Sequence, residues 1–243
     1  MEQNQHILKI GCCGFPLKKE DYFAYFDIIE IQQTFYQLPE HRIANKWRSL
    51  APENFIFSMK AWQLITHLPS SPTYRRTKLV ISEDKKIRYG SFKPTAEVFA
   101  AWEQTVTIAK ILQARMIIFQ CPASFKPIPE NIKNMHQFFS QLNREAFLLG
   151  WEPRGAWDEQ IINDICSEWN LIHVIDPFKN NSIPQRIRYW RLHGIGGYGY
   201  QYTQQDLKYL KQMVEQKNIA ETYIFFNNAF MFQDALRFKS MFA

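Results

Sequence analysis

Short apolar runs recur along this chain, with helix-spaced stripes between them. Eight runs stand out, at residues 7–11, 27–31, 55–60, 116–120, 146–151, 171–175, 189–193 and 222–226. Most are nearly continuous in apolar residues. That pattern predicts strands covered on both faces, as in a parallel sheet. Between them, Val98, Trp102, Val106, Ala109 and Leu112 recur at helical spacing after Pro94-Thr95, a start signal. Ile132, Met135, Phe139 and Leu142 do so after Pro129, and Ile161, Ile162, Ile165, Cys166 and Trp169 make a third stripe. Leu207, Leu210 and Val214 follow Thr203-x-x-Asp206, which reads as a capping box. Ile43, Trp47 and Leu50 form a shorter stripe ended by Pro52, and residues 229–242 close the chain as a helix. The segments after the first and sixth strands carry weaker helical patterns.

Eight strands with eight intervening or terminal helices predict an α/β fold, a single (β/α)8 TIM-type barrel over residues 1–243. An open doubly wound sheet is the main competitor. The connection over residues 61–95 is the irregularity, an extended basic loop after strand 3. Loops of that length are functional, mobile or carry structure of their own.

Charge sharpens this picture at one place. The chain has a formal net charge of +6. Between Pro72 and Pro94 lie Arg75, Arg76, Lys78, Lys85, Lys86, Arg88 and Lys93, opposed only by Glu83 and Asp84, so one loop holds +5 of the excess. Tyr74, Tyr89 and Phe92 interleave with these cations. Cations for phosphates and aromatics for bases would suit single-stranded nucleic acid, with Arg75, Arg76, Lys78, Lys85, Lys86 and Arg88 as the contacts. A solvated surface loop explains the same letters and is the preferred reading. The four cysteines, Cys12, Cys13, Cys121 and Cys166, form no C-x-x-C pair and no metal-ligand spacing, which fits a reduced setting. Residues 1–6 lack an apolar signal core, and no window approaches the ~20 apolar residues of a membrane span. A cytoplasmic protein without membrane contact is the expectation.

In barrels of this kind the active site lies at the carboxyl rim. The first strand delivers Gly11-Cys12-Cys13-Gly14 there. The second delivers Glu30 and Gln32, which share a face by period two. The others deliver Lys60, Gln120, Glu152 with Arg154, Asp176, Arg191 with His193, and Asn227 with Asn228. The amino-terminal ends show far less clustering. Charged groups buried at a rim must be paired or bound to ligand. An ion-pair ring accounts for any one of them better than for the whole set.

Seven segments together resemble the YecE-like family, a widespread family of unknown function (number seventy-two). They are Glu30-Ile31-Gln32-Gln33-Thr34-Phe35-Tyr36, Phe57-Ser58-Met59-Lys60-Ala61, Thr66-His67, Phe119-Gln120-Cys121-Pro122, Glu152-Pro153-Arg154, Arg191-Leu192-His193-Gly194 and Phe226-Asn227-Asn228. The resemblance runs from Ile10 to near the carboxyl end. It implies a TIM-barrel-like fold with a cleft at the strand ends, similar to the xylose isomerase and endonuclease IV-type barrels, and no established reaction. Such analogy of fold does not by itself carry function. Two departures stand out. Cys12-Cys13 replace the family's usual Ser or Thr, and Gln32 replaces its usual Asn.

The side chains suggest roles. Partial burial would lower the Lys60 pKa and suit it to base or Schiff-base chemistry, whereas a salt bridge to Glu30 or Glu152 would keep it charged; the salt bridge is slightly favoured. Glu152 would be an acid or base with Arg154 as anion clamp, or the two would pair to order the loop before Trp157. His193 suits proton transfer near neutral pH. It precedes Gly194-Ile195-Gly196-Gly197-Tyr198-Gly199-Tyr200, after strand seven, where barrels often bind phosphate through backbone N–H groups. Glu30, Lys60, Glu152 and His193 are the catalytic candidates. Gln32, Tyr36, His67, Gln120, Arg154, Asp176, Arg191, Gly194, Asn227 and Asn228 are the substrate-binding ones. His67, His193, Glu30, Glu152 and Asp176 include metal-ligand types. No His-x-His or H-E-x-x-H spacing supports a divalent metal, and Lys60, Arg154 and Arg191 would repel it, so a metal is not favoured and the cofactor stays unassigned.

These parts predict an enzyme acting on a small anionic or phosphate-bearing substrate by acid–base and electrostatic catalysis, phosphoester hydrolysis first, with nucleic acid as one such substrate. The alternative is a sugar or sugar-phosphate isomerase or epimerase. A reading of another class is a nucleic-acid-binding module without catalysis.

Overall fold

The computed structural model describes residues 6–216 and 219–242. Eight strands run β1 Ile7–Cys13, β2 Ile28–Ile31, β3 Ile56–Lys60, β4 Ala114–Gln120, β5 Leu148–Glu152, β6 Ile172–Ile175, β7 Ile187–Leu192 and β8 Glu221–Phe226. They close into a barrel in chain order, each parallel to its neighbours. β8 returns to β1 over a six-residue register from Ile7↔Glu221 to Cys12↔Phe226. β1 meets β2 only at its end, pairing Cys12 with Ile29 and Cys13 with Glu30, which sets Glu30 at the rim. The two strands approach closely at Gly11, where a Cβ would stand 2.4 Å from the Ile28 carbonyl oxygen. Only glycine fits there.

Two apolar layers hold the barrel. Ile28, Met116, Ile118, Val174, Tyr189 and Phe225 fill its interior. A larger layer lies between strands and helices, including Phe57, Trp102, Phe119, Phe138, Trp190, Leu207 and Phe226. The helix Ala96–Leu112 starts where Thr95 accepts the Val98 N–H, and Gln113 ends it in the left-handed region at φ 51°. Pro129 opens Pro129–Gln141. The capping box closes as expected: Thr203 Oγ1 accepts the Asp206 N–H, and the Asp206 carboxylate accepts the Thr203 N–H.

The expected eight helices need correction. Lys19–Phe23 is a single short turn after β1, and residues 176–186, between β6 and β7, form no helix. There the Asp176 side chain accepts the Phe178 N–H and its carbonyl accepts from Lys179 and Asn180, closing a turn. Pro184, with no N–H to give, follows soon after.

The long connection after β3 carries structure of its own: Gln63–Thr66, Pro72–Arg76 and Glu83–Lys86 are short helical turns. Its return is pinned. Gly90, Ser91 and Phe92 donate N–H groups to the carbonyls of Leu64, Thr66 and Ile65. Phe92 is fully buried, packed at 5.4–5.7 Å against Phe119, Phe125, Phe138 and Phe139. The alternative in which Phe92 would stack on bases therefore fails, because Phe92 belongs to the core. Tyr74 and Tyr89 also pack against that core, and Tyr74 donates to the His67 carbonyl at 2.9 Å. The cations stay outside. Lys86 pairs with Glu83 and Arg88 with Glu97, while Arg76 lies over the Tyr36 ring at 4.4 Å. Among the described residues Arg75, Lys78 and Lys85 have no ion pair, and no helix is long and apolar enough to cross a membrane.

Candidate active site

Arg191 is the centre of the rim. Tyr189 and Arg191 lie two apart on β7, so both project toward the barrel axis. Arg191 is 1% exposed, and its guanidinium is divided among six partners, with Cys13 Sγ at 3.8 Å and His193 at its edge. Nε donates to both Glu30 oxygens at 3.2 and 3.1 Å. One terminal nitrogen reaches Glu152 Oε2 at 2.5 Å and Gln120 Oε1 at 3.2 Å. The other reaches Gln32 Oε1 at 3.3 Å. A planar fork of five donors suits this task better than a lysine ammonium.

Glu30 is wholly buried, and its oxygens are occupied. Besides Arg191, it accepts from Tyr189 Oη at 2.6 Å, from Cys13 Sγ at 3.3 Å and from the Gln32 amide. Burial alone would raise its pKa. The charges of Arg191 and Lys60 and the Tyr189 hydrogen bond outweigh burial and leave it below the ordinary carboxylate value. In this geometry Glu30 holds Arg191, with both oxygens engaged. Cys13 and Tyr189 are pushed up by burial and stay protonated.

Glu152 ends β5 opposite Gln120 on β4. Burial opposes its ionisation, yet Arg191, Arg154, His193 and Lys60 bring its pKa down to about 2. Arg154 donates to its Oε1 at 3.2–3.3 Å, the internal pair of the second expected reading. His193 lies beside it. Nε2 is 3.4 Å from an Arg191 nitrogen and 4.0 Å from Glu152 Oε1, while Nδ1 is 3.5 Å from Asp176 Oδ2. The Asp176 carboxylate also accepts the His193 backbone N–H at 3.0 Å. Asp176 thus fixes the end of β7 and the imidazole together. The His193 side chain remains 24% exposed, the most open of the four catalytic candidates.

Lys60 departs from the expected salt bridge. Among the described residues its Nζ has neither an ion-pairing carboxylate nor a hydrogen-bond acceptor, and stands over the Phe35 ring at 4.7 Å. Burial, then Arg191, lower its pKa to about 7, against the opposing pull of Glu30 and Glu152. His67 does fold back over the rim. It packs edge-on to Phe35 at 4.8 Å, and its Nδ1 bonds Thr66 Oγ1 at 2.8 Å. Burial and the charges of Lys60 and Arg154 hold it neutral, with a pKa of about 3.

A cavity of about 500 Å³ opens beside this cluster, lined at the rim by Glu152, Arg154, Asp176, Lys179 and His193. Other expected residues lie elsewhere. Tyr36 is partly buried and spends its carbonyl on Trp62 and Gln63. Asn228 is buried, with its amide nitrogen donating to the Tyr200 carbonyl and to Asp234, both at 2.7 Å, while its Oδ1 has no partner among the described residues. Asn227 is half-buried beside it. Gly194 gives its N–H to Tyr202 Oη at 2.9 Å, and the loop closes on itself through Gly197 and Tyr200. That N–H is not available to a phosphate. Sequence reasoning missed Tyr189, Lys179, Trp157 and His173; each sits in an apolar run or unpatterned loop that gives no chemical signal. Among the described residues, no three His, Cys, Asp or Glu side chains come together as a metal site. Glu30 and Glu152, the nearest candidates, are held on one guanidinium.

With this geometry in view, comparison with known proteins places the chain. The family described as "Protein of unknown function DUF72" matches residues 17–243. The chain is 24% identical over 243 residues to UPF0759 protein YunF of Bacillus subtilis (strain 168), covering 87% of this chain and 80% of that protein. It is similar in fold to a DUF72 family protein of Enterococcus faecalis V583, with TM-score 0.70, 18% identity and 99% of each chain covered. It is also similar in fold to a D-psicose 3-epimerase solved in the presence of D-fructose, with TM-score 0.58, 11% identity, and 97% and 96% of the two chains covered.

Proposed function

Because this chain belongs to the DUF72 family of proteins of unknown function, we propose its activity from the rim itself: isomerisation or epimerisation of a sugar by proton transfer beside a carbonyl. One observation carries this reading. Two titratable groups lie near the fixed Glu152–Arg191 pair: His193, which lines a cavity of about 500 Å³ together with Glu152, and Lys60, which is buried behind that lining within reach of the charges of Glu152 and Arg191. Neither group is locked in a short charged bond. Lys60, with a pKa of about 7, is partly neutral at neutral pH. A neutral amine takes the proton from the carbon, leaving an enediolate, and His193, oriented by Asp176, returns a proton. Gln120 offers Oε1 to Arg191, which leaves its NH2 free to donate to the enediolate oxygen.

The charge balance favours a sugar over a phosphoester. The cavity's cations are already engaged: Arg154 with Glu152, and Lys179 with Asp176 at 3.7 Å. A phosphate there would sit beside the Glu152 and Asp176 carboxylates, which offset those cations. Likeness to D-psicose 3-epimerase supports the same reading by fold alone. The test is solvent deuterium. Wild type is incubated with aldoses and ketoses in heavy water, and proton loss next to the carbonyl is followed by NMR. Incorporation is expected. No exchange across the panel, together with turnover of phosphoesters, refutes it.

A further inference from the structure

The cavity does not end at the rim. Residues 176–186 make the one strand-to-strand step of the barrel that lacks a helix among the described residues. Ile172 and Val174 face the barrel interior, so His173 and Ile175, alternating with them, face outward. Without a covering helix, the cavity runs from Glu152 and His193 over this outer face, where Ile162, His173 and Ile175 line it.

His173 is 4% exposed, yet its ring makes no hydrogen bond among the described residues, and its Nδ1 is wholly shielded. Gln185 accepts the His173 backbone N–H at 3.0 Å, and its own Nε2 is likewise buried without a partner. Unpaired buried polar groups are rare and cost about 1–3 kcal/mol each, so the His173 ring, which lines the cavity, calls for a missing partner. Burial drives the His173 pKa down to about 4, leaving a neutral ring with one donor and one acceptor. That pairing suits a hydroxyl, which also does both, and suits an anion poorly. Trp157 forms a rigid wall of the same cavity. Its indole N–H is bound to the Phe125 carbonyl at 3.1 Å, and its ring packs on Phe125 and Trp151 at 5.7 and 4.9 Å. The outer lip carries Asn180 and Asn181, both uncharged.

We propose that this outer arm is a hydroxyl-recognition subsite that seats the second unit of a disaccharide or glycoside, so that the rim's substrate is a glycosylated sugar rather than a free monosaccharide. The size agrees, since cavities of ~300–1,000 Å³ take drug-sized ligands. The identity of the ring at the rim rests on the sugar-isomerase reading, whereas the chemistry of the arm does not.

The probes are maltose, cellobiose, lactose and trehalose against glucose and galactose, titrated into the whole chain by calorimetry. The His173 ring nitrogens are followed by NMR in parallel. At least one disaccharide is expected to bind about tenfold tighter than its monosaccharides, the scale of one good hydrogen bond, and to shift the His173 ring signals. His173→Leu should erase that difference and leave monosaccharide binding unchanged. Equal affinities, no binding by any probe, or an imidazole already bonded to Gln185 and unresponsive to sugar would overturn the proposal. Should His173→Leu fail to fold, the ring signals of the wild type decide alone. No turnover is read, so absent deuterium exchange leaves this subsite standing, and exchange without disaccharide preference removes the subsite alone.

Discussion

Replacing Arg191 with methionine should destabilise the protein by about 3–5 kcal/mol at pH 7. The change keeps most of the side-chain volume and removes the charge that holds Glu30 and Glu152 ionised at 0% and 6% exposure. Breaking a buried pair by deleting one partner costs about 3–5 kcal/mol, because the other charge is left uncompensated. A second measure agrees. Glu152 lies at about 2 instead of its ordinary 4.5, a displacement of about 3 kcal/mol. In a chain of 243 residues each kcal/mol moves Tm by about 2–4 °C, so the expected fall is about 6–20 °C. Urea unfolding between pH 7 and pH 3 is the assay. In the wild type, carboxylates held below their unfolded values stabilise the fold above about pH 4.5, and that stability is lost as pH falls toward 2. In Arg191→Met both carboxylates rise above their unfolded values. Their penalty is then full at pH 7 and is relieved on acidification. The gap between the two proteins should therefore close as pH falls, and Glu30→Gln added to Arg191→Met should restore part of the loss. A deficit under about 1 kcal/mol that does not change with pH would refute the reasoning.

Three further outcomes follow from other parts of the site. Lys60→Met should stabilise the protein by about 1 kcal/mol or more at pH 6. The folded-state pKa of Lys60 is lowered to about 7, so its burden is full below that value and fades as pH rises toward the unfolded value near 10.4; the variant's advantage should shrink over the same window in urea titrations. His193→Gln should reduce deuterium exchange about 10²–10⁴-fold with Tm nearly unchanged, since the side chain is partly exposed. Phe92→Ala should cost about 3–5 kcal/mol in chemical denaturation, as for a core aromatic, whereas a surface base-stacking residue would lose well under 1 kcal/mol.

The barrel was legible because its signals are local. Thr95, Pro129 and Thr203-x-x-Asp206 mark helix starts with side chains that act within one turn, and all three hold. The strands were legible because sheets covered on both faces need unbroken apolar runs. What failed was non-local. Helical spacing could not show that residues 176–186 would close on the Asp176 side chain. Nor could alternation of cations and aromatics show that Phe92 turns inward, since that depends on Gly90, at φ +76°, fitting against the His67 carbonyl. At the rim, strand-end position brought Glu30, Gln120, Glu152 and Arg191 together as expected. It could not rank them, because whether Lys60 or Arg191 wins the carboxylates depends on distances across the barrel. Nor could it show the contact of Asn228 with Asp234, which belongs to the closing helix.

The clasp at the rim has a consequence for fragments of the chain. Glu30 comes with β2 and Glu152 with β5, but the guanidinium that binds both comes with β7. A fragment ending before β7 carries both acids without the group that joins them, leaving only Lys60 and Arg154 to offset their charge.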